Sequence, residues 1–235
     1  MNPLASLLIA LLLQALGGPE PQRAPPEPDD GLPPTRFAAD VLAGDPLLVE
    51  ATTLSVTPFG IGTAVVKVRV DQRLMGSEHD VGDEVLVFAY VGHFVTRGRN
   101  LLLLEPFGSG GRYQVRMRVD GRDPDYRDKL AMSRAQILLM DVRPRSARIV
   151  ATLDLLARAL DHSSAWYRAY AIREMQWIAS ERPEVLNAPW LRMLAQMGIR
   201  SPHPEVRRGV ESVANILASQ SDSLLLDDEG QSSTP

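Results

Sequence analysis

A repeat of about 39 residues constrains the C-terminal half of the chain more than any other feature. Ser164–Ile178 recurs at His203–Leu217: Tyr167-Arg168 matches Val206-Arg207, Ala171 matches Val210, and Trp177-Ile178 matches Ile216-Leu217. The preceding segments follow at the same shift, with Leu155 on Leu194 and Leu160 on Ile199. A period of this length belongs to stacked helix-pair units. Each such unit has an apolar face that only a neighbour can cover. The repeat therefore predicts a scaffold of helices rather than a particular chemistry.

Upstream the periodicity changes to two. Ala64, Val66, Val68 and Val70 alternate with Val65, Lys67, Arg69 and Asp71, the pattern of a half-buried strand. Pro46–Thr57 supplies the first long strand. Glu84–Val91 is apolar on both faces and reads as a central strand. Leu101–Leu104 and Arg112–Val119 follow, the latter with Val115, Met117 and Val119 on one face. Turn-forming stretches at Pro58–Gly62, Gly76–Asp83, Gly92–Asn100 and Gly108–Gly111 separate them, as strand connections require. About five strands in hairpin-like order, uninterrupted by helices, predict a small barrel. Arg122–Arg143 then reads as a helix, opened by Asp123-Pro124-Asp125 and ended by Pro144. It either packs on the barrel or caps the helical array.

Two family resemblances attach to these segments. The turn Val81-Gly82-Asp83-Glu84-Val85 entering a strand, then Phe94 and Gly98–Leu104 leading to Gly111-Arg112-Tyr113, resembles the OB-type barrel of netrin-like modules and metalloproteinase-inhibitor domains. Those inhibitors present an N-terminal cysteine to a protease zinc. This chain has no cysteine, so the resemblance implies a fold and not that inhibition. In the second repeat, Ser201-Pro202-His203-Pro204-Glu205-Val206-Arg207 resembles the turn and second helix of a HEAT repeat. Pro204 suits the first helical turn, where its missing N–H would have no partner. The first copy has Trp166-Tyr167-Arg168 in place of Glu-Val-Arg. In that family the arginine braces adjacent helices through acidic groups, which implies the same role for Arg168 and Arg207.

The expected plan is an α+β two-domain protein, a small OB-like antiparallel β-barrel followed by a short HEAT-like α-helical array. Residues 1–17 read as a signal peptide, 18–36 as a Pro-rich linker, 37–121 as the barrel, 122–219 as the helical domain and 220–235 as a disordered acidic tail. The apolar run Leu4–Leu13 ends at Ala15-Leu16-Gly17 and is shorter than the roughly 20 residues a membrane span needs. The seven prolines between Pro19 and Pro34 break helix and sheet alike. An extracytoplasmic protein, periplasmic or secreted, with no transmembrane span after signal cleavage is the expectation.

Composition narrows the chemistry. The absence of cysteine excludes disulfides, thiol catalysis and cysteine-ligated metals. A net charge of −4 is too small to mark a nucleic-acid or membrane-surface binder. None of the four histidines, His79, His93, His162 and His203, pairs with another at the spacing of a zinc helix. Glu78-His79-Asp80 reads as a solvated turn rather than a cation site. Gly108-Ser109-Gly110-Gly111 lacks the strand-to-helix setting of a nucleophile elbow, and Gly60-Ile61-Gly62 has Val65 where a dinucleotide loop needs its third glycine. Asp123, Asp125 and Glu105 are scattered carboxylates. No catalytic residue, cofactor or metal is expected.

Trp166, Trp177 and Trp190 with Tyr167 and Tyr170 form the main aromatic group and read mostly as inter-helix core. Trp166 and Tyr167 stand at a helix start, and with Arg168, Arg207 and Arg208 they have the composition of an interface anchor. The functional expectation is an exported, non-enzymatic protein-interaction or scaffold protein. One alternative is nucleic-acid binding through the barrel and an Arg-rich helical face, since Arg143–Glu211 holds 11 arginines against seven acids. A second is a hydrolase or metal-dependent enzyme assembled from dispersed residues.

Overall fold

The computed structural model describes residues 32–42, 46–90, 92–108 and 111–229, with the side chains of 221–229 left aside. The expected signal peptide and most of the proline stretch lie outside the described residues. The chain divides into two compact units, one of residues 37–141 and one formed by the segment up to Arg36 together with everything from Val142 onward.

The first unit is a closed five-stranded barrel with a helix against it. Its strands are β1 (Leu47–Pro58), β2 (Thr63–Met75), β3 (Glu84–Tyr90), β4 (Arg99–Pro106) and β5 (Arg112–Asp120). They close in the order β1-β2-β3-β5-β4. The expected small barrel is present and antiparallel at four of its five seams, while β3 and β5 run parallel. Five strands in a closed ring cannot alternate direction all the way round, so one pair must be parallel.

The burial of each strand follows from which faces are covered. Leu47, Val49 and Ala51 of β1 point into the barrel with Val66, Val68, Val85, Val87, Leu102 and Leu104. Leu48 faces outward and packs with Leu101, Leu103 and Tyr126 under helix α1 (Tyr126–Met140). The run Leu101–Leu104 is therefore buried on both faces. β3, expected to be covered on both faces, alternates instead: Val85 and Val87 are buried while Leu86 and Tyr90 are exposed. No element covers the outer face of β3 among the described residues.

The expectation that Val115, Met117 and Val119 share a face is also corrected. Leu103 pairs with Met117 and Leu104 with Val115, so the register slips across Arg116. An extra residue of this kind is a β-bulge and inverts the alternation beyond it. Tyr113 and Val115 consequently join the interior, whereas Met117 and Val119 join the layer beneath α1.

The second unit contains α2 (Arg145–Leu160), α3 (Ala165–Glu181), α4 (Ala188–Arg200) and α5 (Pro204–Glu229). The 39-residue shift holds for the second helix of each pair: Tyr170, Ala171, Met175 and Ile178 fall on Gly209, Val210, Ala214 and Leu217, and all are buried. The first helices register differently. Leu153 and Leu156 correspond in burial to Leu191 and Leu194, one residue off the sequence alignment, and Ile199 is exposed where Leu160 is buried. α5 also continues to Glu229, beyond the point where the acidic tail is expected to begin.

Residues 32–36 belong to this unit. Pro33, Pro34 and Thr35 are buried, the fully buried Arg148 donates to the Leu32 carbonyl at 3.1 Å and the Val142 carbonyl at 3.2 Å, and Glu174 accepts from the Arg36 amide at 2.7 Å. One guanidinium thus holds the points where the chain leaves for the barrel and returns from it.

Candidate functional site

The uncovered outer face of β3 leads into a cleft of about 830 Å³ at the β3–β5 seam. The ladder between the two strands runs only from Leu86↔Arg112 to Phe88↔Gln114. Beyond it the strands part. Ala89 and Tyr90 on one side and Val115 and Arg116 on the other line the opening, and strand edges without a ladder partner there need another acceptor and donor set.

Aromatic rings crowd this opening. Phe59 sits in the β1–β2 turn, Phe107 in the β4–β5 turn, and Phe88 between them on β3. The Phe59 and Phe88 rings are 6.2 Å apart in an edge-to-face arrangement, and Phe88 and Phe107 are 5.3 Å apart. Tyr90 lies 5.8 Å from the His93 ring. Phe59 is 63% exposed and Tyr90 68%. The turn holding Phe59 is set by Gly60 and Gly62, both at φ 74°, a region open to glycine at little cost. Exposed rings brought together from three separate elements form an apolar patch of the kind that marks a contact surface.

The arginines beside the rings are committed. Arg118, directed inward by the bulge, stacks over Phe94 at 4.8 Å and donates to Asn100 Oδ1 at 2.7 Å and Asp120 at 2.6 Å. Asn100 is buried and donates in turn to Thr53 Oγ1 and the Gly98 carbonyl. Arg122 also donates to Asp120 from its backbone and side chain. Hydrogen bonding from Arg122, with help from Arg118, holds the Asp120 carboxyl well below the usual carboxylate range despite partial desolvation. Arg116 lies 3.8 Å from Glu105.

At the other candidate positions the structure is informative. Glu78 and His79 meet at the Tyr113 hydroxyl, and no group of three or more His, Asp or Glu able to hold a metal occurs among the described residues. Tyr113 donates to Glu78, and His79 Nε2 lies 3.1 Å from the Tyr113 hydroxyl. Burial, reinforced by Glu78, pushes the Tyr113 phenol far up and keeps it protonated. Glu105 pairs with Arg116 and Asp123 with Lys129.

The five residues expected at a partner surface separate into two kinds. Arg168 is buried, donates to the carbonyls of His162 and Ser163, and bonds Glu205 at 2.9 Å. It braces one repeat against the next. Arg207 repeats half of this, donating to the carbonyl of Ser201. Trp166 and Tyr167 are half-buried, Trp166 stacking on Tyr170 at 5.3 Å and Tyr167 lying 4.2 Å from His162. Arg208 is exposed and bends back to the Pro204 carbonyl.

The rings at the β3–β5 seam escape sequence reasoning because they are distant in the chain. Their signal is a phenylalanine placed directly before a glycine turn, at Phe59-Gly60 and Phe107-Gly108, where no strand interior exists to bury it. The chain matches no protein-family model, and no curated protein is detectably similar to it.

Proposed function

We propose that this is an exported, non-enzymatic binding protein whose barrel takes an extended segment of another protein at the β3–β5 seam. The observation that carries the reading is the coincidence of parted strand edges with the Phe59–Phe88–Phe107 group. Edges supply backbone hydrogen bonds, and alternate side chains of an added strand supply apolar contacts. Export is supported by the run Leu4–Leu13 and the small residues after it; intact mass of the native protein outside the cytoplasm should lack about the first 17 residues.

A second reading, single-stranded nucleic acid, is favoured by the position of the rings. OB-type barrels bind oligonucleotides through the strand 2–3 face and the loops that here carry Phe59 and Phe107. Charge weighs against it. The barrel unit holds 12 Lys and Arg against 14 Asp and Glu, and Arg118 and Arg116 already face carboxylates, whereas strand binding needs cations available to phosphate.

A display-selected extended peptide tests the choice. Its binding should slow amide exchange at Ala89–Tyr90 and Val115–Arg116, and Phe88→Ala or Phe107→Ala should weaken it about tenfold or more with little change in folding. Binding of a homopolymeric oligonucleotide with steep salt dependence would favour the second reading. Peptide binding unaffected by both substitutions would place the interaction elsewhere.

A further inference from the structure

Beside α1 lies a second cleft of the barrel unit, about 480 Å³, with Glu50, Arg99, Tyr126, Arg127 and Arg134 in its walls. Glu50 is 8% exposed and accepts from the Tyr126 hydroxyl at 3.0 Å. Arg99 and Arg134 stand 3.6 Å and 3.7 Å from its two oxygens, beyond the 2.7–3.2 Å of a made hydrogen bond. Arg134 reaches Gln72 through Nη2, yet its Nε is buried without an acceptor. Arg127 has no hydrogen bond or ion pair among the described residues. Asp123, the other carboxylate of the cleft, is bonded by Lys129 at 2.7 Å. Two guanidinium groups therefore flank one carboxylate and a third lines the same cleft, and their donors outnumber its acceptors.

We infer that this cleft binds a small phosphomonoester, its phosphate oxygens held by Arg99, Arg127 and Arg134 and a hydroxyl of the ligand donating to Glu50. Planar guanidinium forks match the oxygens of a phosphate, and the excess positive charge calls for a dianion. The volume exceeds what an inorganic ion fills and falls in the range of small-ligand sites. The Glu50 carboxylate repels phosphate and is suited to a neutral hydroxyl. The site is independent of the β3–β5 seam.

Calorimetric titration of the full chain with inorganic phosphate and with glycerol 3-phosphate, against chloride at matched ionic strength, tests this. Saturable binding is expected, tighter for glycerol 3-phosphate. Arg127→Ala should weaken both about tenfold and leave the ligand-free unfolding midpoint unchanged, since that side chain holds nothing. Glu50→Gln should remove the preference for glycerol 3-phosphate while retaining phosphate binding. A response no larger than that to chloride, or an Arg127→Ala protein that binds phosphate as the parent does, overturns the site. Equal affinity of the parent for the two anions overturns the role given to Glu50.

Discussion

Arg118 is an arginine turned toward the interior of a barrel, and its neighbours supply two acceptors and a ring for the guanidinium. Asn100, Asp120 and the Phe94 face account for it. Such a group is tolerated only when its donors are satisfied. The strength of the arrangement depends on Asp120 being ionised. Its folded-state pKa is depressed, so the stabilisation is present above the ordinary aspartate range, near pH 4, and is lost as pH falls through the depressed value. Asp120→Asn should lower the thermal midpoint at pH 7, and the difference from the parent should close progressively below about pH 4. A gap of constant size across that titration would mean that the charge does not contribute. Arg168 shows the opposite situation for legibility: its bracing role follows from the HEAT-like resemblance, and the structure supplies Glu205 as the acid.

At the scale of elements, α3 and α5 approach so closely that Gly209 stands where Tyr170 stands in the first repeat. A Cβ on Gly209 would meet Ile172 side-chain atoms at 2.7–2.9 Å. Gly209→Val should therefore destabilise the helical unit by about 1–3 kcal/mol, the usual cost of overpacking, measured by urea denaturation. An unchanged midpoint would show that Ile172 moves aside freely. The strands teach a different lesson about periodicity. The alternation in β2 was sufficient to place Val66, Val68 and Val70 inside. In β5 the same alternation misplaces Met117 and Val119, because a bulge is a property of two strands in register and leaves no mark on one of them. β3 is misread for a related reason. Apolar residues on both faces of Glu84–Val91 are compatible with burial or with an open face for a partner, and the sequence pattern is identical in the two cases.

For the whole molecule, the contacts of Arg148 and Glu174 make residues 32–36 a structural part of the helical unit, with the barrel residues intervening in the chain. Arg148 bonds both Leu32 and Val142 and so holds the two segments of the helical unit together. A protein with residues 37–141 replaced by a few glycines should retain helical circular dichroism and cooperative melting. One beginning at Val142 should melt lower, because the buried Arg148 and Glu174 lose backbone partners, a loss that typically costs about 1–3 kcal/mol per unsatisfied group. Equal midpoints for the two would show that the strap is dispensable. The division at Arg36/Phe37 and Asp141/Val142 also assigns α1 to the barrel, one of the two positions that its sequence allows.

Local patterns in the sequence determined the number and kind of elements: period two for the strands, glycine and proline for the breaks, and a repeat of about 39 residues for the second helices of the array. These are properties of residues near one another in the chain, where propensity and spacing act directly. Tertiary structure alone decided the parallel β3–β5 seam, the inversion at Arg116, the inward path of Arg118 and the meeting of Phe59, Phe88 and Phe107. Each depends on which distant strand becomes a neighbour, and closing five strands into a ring sets that choice for the molecule as a whole.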